Sequence, residues 1–279
     1  MGTSASKGDA APGSPLIPPW ANEDPVVPPD DADEDQKDGE PTEEDETTLR
    51  PALAQSPPTP PRPFNAFRRN LTRYVETGDR GDARSALGHW ASTSRGGART
   101  GTQRVSRAIR SGGAALAALA RTAAGEPPTP GELDIGELAG IPANVAIARI
   151  VDAFCPPGIL DEDALRAALG EALAEAVRGE DNFDPAALDA NAVRIAMLRF
   201  VAELVFVSVM MDSGDALAAV PPAVAIQREN NLRNLIREVA DVVGTPLLEA
   251  AGVTVTTAGV RDLVARLVFA VQREMASWE

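Results

Sequence analysis

The residues of this 279-residue chain that could do chemistry are few. There is one histidine, His89, and one cysteine, Cys155. A single cysteine excludes an internal disulfide and a cysteine-rich zinc site. A single histidine excludes a His-cluster metal site and argues against a hydrolase triad. No two carboxylates form an acid/base pair on an apolar helix face. Gly96-Gly97 and Gly112-Gly113 lack the strand, glycine-rich turn and lysine of a phosphate loop. The expectation is a protein that is not an enzyme, with no catalytic residues, no metal and no cofactor of its own. His89 beside Trp90 reads as a packing or hydrogen-bonding residue. Cys155 reads as a buried small hydrophobe.

One reactive group remains, the amino terminus. The chain opens Met1-Gly2-Thr3-Ser4-Ala5-Ser6. Methionine is removed before a small residue, which makes Gly2 the mature end. Its α-amine has an ordinary pKa near 7.7–8.0, so a useful fraction is an uncharged nucleophile at neutral pH. An unstructured tail can thread that amine into another enzyme's active site. The same residues fit the pattern for N-myristoylation, which gives a membrane-associated alternative. The bland reading is a small residue that only permits methionine removal.

Recognition has two further candidates. Pro15-Leu16-Ile17-Pro18-Pro19-Trp20 is an apolar island with a tryptophan, in a stretch otherwise poor in aromatics. It suits a short motif that seats Trp20 in a partner's pocket, or a tail that folds back on its own body. Arginines dominate a second region. They can neutralise phosphates, and Phe64, Phe67, Tyr74 and Trp90 lie among them for base stacking. A nucleic-acid-binding adaptor is therefore an alternative, set against arginines that pair with acids of the same chain.

Stepping from residues to elements, charge divides the chain in three. Residues 1–61 carry 14 acids against three bases, a net of −11; residues 62–121 carry 12 arginines against three acids, a net of +9. Residues 122–279 carry 11 arginines against 24 acids, a net of −13. Residues 1–63 hold 14 of the 24 prolines, and Asp30–Glu46 holds 11 carboxylates. Such a stretch has too little apolar surface to offset the entropy of ordering it, so it reads as disordered, with Pro57–Pro63 favouring polyproline II.

Residues 64–125 read as an Arg-rich helical segment. Phe64, Phe67, Leu71 and Tyr74/Val75 recur at helical spacing, with Gly78 and Gly81 as interruptions and a short helix around Ala83–Ala91. Ser92–Thr102 reads as a loop. Gln103–Ala124 reads as a helix with Val105, Ile109, Gly112, Leu116 and Leu119 on one face. Arg104, Arg107, Arg110 and Arg121 lie on the other, as a candidate basic surface.

Residues 132–279 read as an α-helical bundle domain of five helices. The first carries Ile147, Ile150, Val151 and Phe154 and stops at Pro156-Pro157-Gly158. Asp161 caps the second, which carries Leu165, Leu169 and Leu173. Asp184-Pro185 opens a long third helix to about Met211, apolar on more than one face and so placed centrally. Pro221-Pro222 opens a fourth that Gly244 and Pro246 end. Thr257 caps the last, and Val253–Thr256 is a candidate extended piece. The fold class is all-α: a helical bundle behind a long acidic, Pro-rich tail. No apolar run approaches the ~18–20 residues of a membrane helix. The start lacks a secretory signal, so a soluble cytoplasmic protein with no membrane partner is expected. Two lysines against 24 arginines suit a GC-rich bacterial or viral genome.

The start of the chain, Gly2-Thr3-Ser4 and then Pro12-Gly13-Ser14-Pro15 to Trp20, resembles that of the QatB family of the bacterial Qat anti-phage defence system. Arg68-Arg69-Asn70-Leu71, Gly88-His89-Trp90 and Ser94-Arg95-Gly96-Gly97 are similar to the same family. The resemblance implies partners: an ATPase (QatA), a TatD-like nuclease (QatD) and QatC. QatC is similar to QueC, the queuosine-pathway enzyme that turns a deazaguanine carboxylate into a nitrile. It implies that the family serves as the protein substrate of QatC, which would attach a 7-deazaguanine to the N-terminal Gly2. ATP and zinc would belong to that partner. Thr3, Ser4 and Ser6 are small enough for a narrow channel, and Pro18, Pro19 and Trp20 could anchor the tail outside it.

Overall fold

The computed structural model describes residues 63–155, 162–177, 179–251 and 257–279. The expected disordered tail, Asp161, Pro156-Pro157-Gly158 and Val253–Thr256 lie outside the described residues. Among the described residues there are nine α-helices, no strand, and one isolated antiparallel bridge between Pro142 and Asn182. The fold class is all-α.

The Arg-rich segment supplies four helices. α1 (Asn65–Thr77) buries Phe67, Leu71, Tyr74 and Val75, the predicted stripe, and ends at Gly78. α2 (Arg80–His89) starts at once, because Asp79 accepts the N–H groups of Gly81 at 2.7 Å and Asp82 at 3.0 Å. Gly81 thus lies in a first helical turn rather than in a break. The expected loop over Ser92–Thr102 is mostly helix. Trp90–Ser94 forms one π-helical turn, and α3 (Gly97–Arg104) follows. Polar and small residues hide the pattern here, yet Trp90, Ala91 and Gly101 are buried and α3 packs on the last helix. The predicted helix over Gln103–Ala124 is therefore two pieces. α3 ends at Arg104, Val105 leaves the helical region at φ −96°, ψ 12°, and α4 (Ser106–Ala123) begins.

Gly112 marks the contact of α4 with the helix beneath it. A Cβ there would lie 2.0 Å from the Phe200 ring. Glycine costs a helix about 1 kcal/mol relative to alanine. Here that cost allows the two backbones to approach.

The five helices expected after residue 132 are present. They are α5 (Ala143–Phe154), α6 (Glu162–Ala176), α7 (Ala190–Asp212), α8 (Pro222–Ala251) and α9 (Thr257–Ala276). α7 is the central one, as its many-sided apolar pattern requires. It packs on α4, α6, α8 and α9, and Met197, Phe200, Val201, Leu204 and Val205 are all buried.

Three boundaries differ from the sequence reading. Asp184-Pro185 opens only a 3-10 turn (Pro185–Ala187), and the cap of α7 is Asp189, whose carboxylate accepts the N–H of Ala192 at 2.7 Å. Between them Leu188 is extended and buried, so the chain turns twice before the long helix starts. α8 does not end at Gly244 or Pro246 but runs to Ala251. Pro246 and Val242 are both exposed, so the carbonyl that the proline cannot serve lies on the helix's outer side, where water can reach it. Gly244 is buried, and a Cβ there would meet Leu198 at 2.5 Å. Finally, Thr257 is the first residue of α9 and not its cap, and its hydroxyl accepts a hydrogen bond from Arg121.

One apolar core runs through all of this. Phe67, Leu87, Trp90 and Leu116 of the Arg-rich segment belong to the same buried cluster as Ile150, Leu169, Phe200, Ile236 and Leu267. The basic stretch is one wall of the bundle.

Candidate functional site

The region with the most organised polar chemistry lies where the π-helical turn meets the C-terminal end of α7. The first described residue, Pro63, is held there: its carbonyl accepts the Ser94 hydroxyl at 2.8 Å. One residue on, Arg95 donates through Nε to Asp212 Oδ2 at 2.8 Å, and its terminal nitrogen lies 2.5 Å from the same oxygen. Trp90 Nε1 donates to that oxygen at 2.9 Å. The Arg95 guanidinium also sits over the Trp90 ring, 5.2 Å from its centroid, and reaches the Ser208 carbonyl at 3.3 Å. Arg68 donates to the Asp212 carbonyl at 2.9 Å. Asp212 therefore joins the first helices to the middle of the bundle through one carboxylate and one carbonyl.

Beside this knot a cavity of about 400 Å³ opens. Its walls are Arg104, Val105, Ser106 and Arg107 at the α3–α4 junction, Ala164 of α6, and Leu204, Ser208 and Met211 of α7. Arg95 and Asp212 close one end.

The candidate basic surface is only partly assembled. Arg104, Arg107 and Arg110 are exposed, and no ion pair engages them among the described residues. Arg121 does not belong with them. It is buried, pairs with Glu132, and donates to the Thr257 hydroxyl at 2.9 Å. Arg121 shares α4 with Arg107 and Arg110, and what sets it apart is the covering of its end of the helix by Glu132 and Thr257. Other arginines of the segment also face acids of the bundle: Arg95 pairs with Asp212 and Arg80 with Glu238.

His89 and Cys155 have the structural roles expected of them. His89 Nδ1 lies 2.9 Å from Glu279 Oε1, and Thr93 donates to the same oxygen at 3.0 Å. The Ser92 hydroxyl, with those of Thr93 and the His89 ring, holds the Glu279 carboxyl below the usual carboxylate range. Cys155 is fully buried, and that burial pushes its thiol up to about 11.

A buried polar cluster on α7 escaped the sequence reading. Glu203 is only 3 % exposed and accepts from Arg237 Nε at 2.9 Å, with Arg233 3.4 Å away. Arg237 also reaches Glu171 at 2.7 Å. The signal was one acid inside an apolar run, which must be paired if buried. No group of three or more metal-ligating side chains exists among the described residues, and no helix there is long and apolar enough to cross a membrane. Gly2, Thr3, Ser4, Ser6, Pro18, Pro19 and Trp20 lie outside the described residues.

An all-α body with an Arg-rich wall built into it, behind a long acidic stretch of sequence, defines a helical protein. A family model described as "Qat anti-phage system associated protein QatB" matches residues 96–271, well over half of the chain. The chain belongs to the QatB family, which gives it a role in anti-phage defence within the Qat system. The match starts at Gly96 and runs into α9, so it covers Asp212, the Glu203 cluster and the cavity lining apart from Arg95. No curated protein and no solved structure matches the chain.

Proposed function

We propose that this QatB-family protein is a substrate and binding partner of a QueC-like enzyme of its own system, QatC, and that the modified atom is the α-nitrogen of Gly2. The observation that carries the reading is the opening Met1-Gly2-Thr3-Ser4 in a chain whose body belongs to the QatB family. The partner activates a 7-deazaguanine carboxylate with ATP. The uncharged Gly2 amine attacks the activated carbonyl, the activating group leaves, and the nitrogen loses a proton to solvent. The product is an amide between the deazaguanine and Gly2. The amine's ordinary pKa near 7.7–8.0 supplies the nucleophile without a base from this chain. Thr3, Ser4 and Ser6 fit a narrow channel because none is larger than threonine. Pro18, Pro19 and Trp20 hold the tail to the partner's surface, where a tryptophan contributes strongly to binding. QatA and QatD, the ATPase and the TatD-like nuclease, are the further partners of this reading, and the protein works in the bacterial cytoplasm without catalysing a reaction itself.

The test is the intact mass of the untagged protein, with peptide mapping of its N-terminus, made with and without its genomic neighbours. A deazaguanine-sized adduct on Gly2 that needs the QueC-like neighbour is expected. A bare Gly2 in both samples removes the reading. Gly2→Glu should abolish protection against phage while expression and thermal unfolding stay unchanged.

A further inference from the structure

The cavity beside Asp212 has a charge and a shape that the proposed modification does not use. Its charged lining is Arg95, Arg104, Arg107 and Asp212. Arg95 and Asp212 neutralise each other at 2.5 Å. That leaves the two guanidiniums of Arg104 and Arg107, an excess of two positive charges with no carboxylate to answer them among the described residues. Both come from the point where Val105 breaks the helix, and both line the same cavity. Its rim also carries the start of α4, an 18-residue helix whose first turn has neither a side-chain cap nor an acidic residue.

An excess of two charges calls for a dianion. A phosphate monoester carries close to that charge at neutral pH, and a carboxylate only half of it. Arginine suits phosphate because its planar fork of donors matches two oxygens at once. Apart from Ser106 and Ser208, the rest of the lining is apolar: Val105, Ala108, Ala164, Leu204 and Met211. Such walls fit the faces of a flat, weakly polar ring. The volume of about 400 Å³ falls in the range of small-ligand sites. Met211 is exposed at the mouth, where a flexible thioether adapts to a ring laid against it.

We infer that this cavity binds the phosphate monoester of a nucleotide, with Arg104 and Arg107 on the phosphate and the base between α6 and α7. The bound group is either a free mononucleotide or the 5′-terminal nucleotide of a strand. Arg95 takes no phosphate; it stays on Asp212 and sets the closed end of the cavity. Arg110 and Arg121 are outside the site, the first beyond the rim and the second buried elsewhere.

The experiment is calorimetric titration of the full-length protein with 5′-AMP and 5′-GMP, with adenosine and guanosine as phosphate-free controls. At least one nucleotide should bind saturably, more weakly as salt rises, and its nucleoside about tenfold less tightly or worse. The double variant Arg104→Gln/Arg107→Gln should lose about tenfold or more, while Arg266→Gln, an exposed arginine outside the cavity, should bind as the parent does. Met211→Glu should weaken nucleotide binding by putting a like charge at the mouth. All of these side chains are exposed, so the variants should keep the parent's melting temperature, which circular dichroism checks. A 5′-phosphorylated tetranucleotide separates the sources. Equal affinity identifies a strand end, and lost affinity with retained mononucleotide binding identifies a free nucleotide. Nucleosides that bind as well as nucleotides, a double variant with unchanged affinity, or no binding of either nucleotide at millimolar concentration would each overturn the assignment.

Discussion

Asp212 shows how much one side chain carries in this protein. Its carboxylate satisfies an indole N–H and a guanidinium that are otherwise enclosed. Asp212→Ala should therefore lower unfolding stability by about 2–4 kcal/mol, because it strands two buried donors rather than removing one contact. Denaturant melts of the variant check this. Trp90→Phe still leaves a cavity, but it should cost less in that background than in the parent, because its N–H has already lost its acceptor. Cys155 offers a second test at this scale. With its thiol pushed up to about 11, the native protein holds little thiolate at pH 8. Alkylation should run at least a hundredfold slower, to order of magnitude, than in the urea-unfolded chain. Equal rates would mean that the residue is not enclosed. The burial of Cys155 was legible in the sequence, because it ends an apolar helical stripe. The part played by Asp212 was not: an aspartate at a helix end looks like any solvated terminus until Trp90, 122 residues away, is brought to it.

At the scale of elements, the helices with strong apolar periodicity were legible, and those built from small residues were not. α1, α5, α6 and α9 show their stripes directly. α3 does not, because Gly97–Arg104 has no large apolar residue, and its helix is stabilised by packing against α9 rather than by its own pattern. Glycine was read as a breaker at Gly81 and Gly244, whereas Gly81 lies in a first helical turn and Gly244, like Gly112, allows close approach. Gly112→Ala tests this. Propensity alone predicts a gain of about 1 kcal/mol. Overlap with the Phe200 ring predicts a loss of about 1–3 kcal/mol. The expected outcome is a net loss in thermal unfolding, partly restored by Phe200→Leu in the same chain. The break at Val105 is the other element-scale feature hidden from the sequence. It parts Arg104 from the helix that carries Arg107, and both line the mouth of a cavity.

For the whole molecule, the all-α class and the central position of α7 followed from patterning, because a helix that is apolar on several sides must be surrounded. The single core did not follow. The sign change in charge near residue 122 suggested a boundary, yet the basic helices are a wall of the bundle and share its interior. Ion pairs across that line account for part of the charge contrast, as at Arg80–Glu238 and Arg95–Asp212. Glu279 closes the same circuit at the other end, against His89 and Thr93 of the basic segment. Its carboxyl is held below the ordinary value of 4.5. The stabilisation is thus fully present above that value and disappears as pH falls through the lowered one. The gap in melting temperature between the protein and Glu279→Gln should be largest near neutral pH and should close toward pH 3. A gap that widens in acid would contradict the assignment of these partners.

The hydrogen bond from Arg121 to Thr257 spans 136 residues of chain. Ribosomes add roughly 5–20 residues per second, so α4 leaves the ribosome on the order of ten seconds before its partner helix is made. Through that interval α3 and the face of α4 that meets α9 have nothing to close on. Arg121 waits for Thr257 and, for a shorter time, Arg95 for Asp212, while the acids of residues 1–61 are the first counter-charge the chain itself supplies. A topology that ties the last helix to the first ones thus makes synthesis the vulnerable moment in the life of this protein, and places its yield in the cell under the control of events before folding is complete.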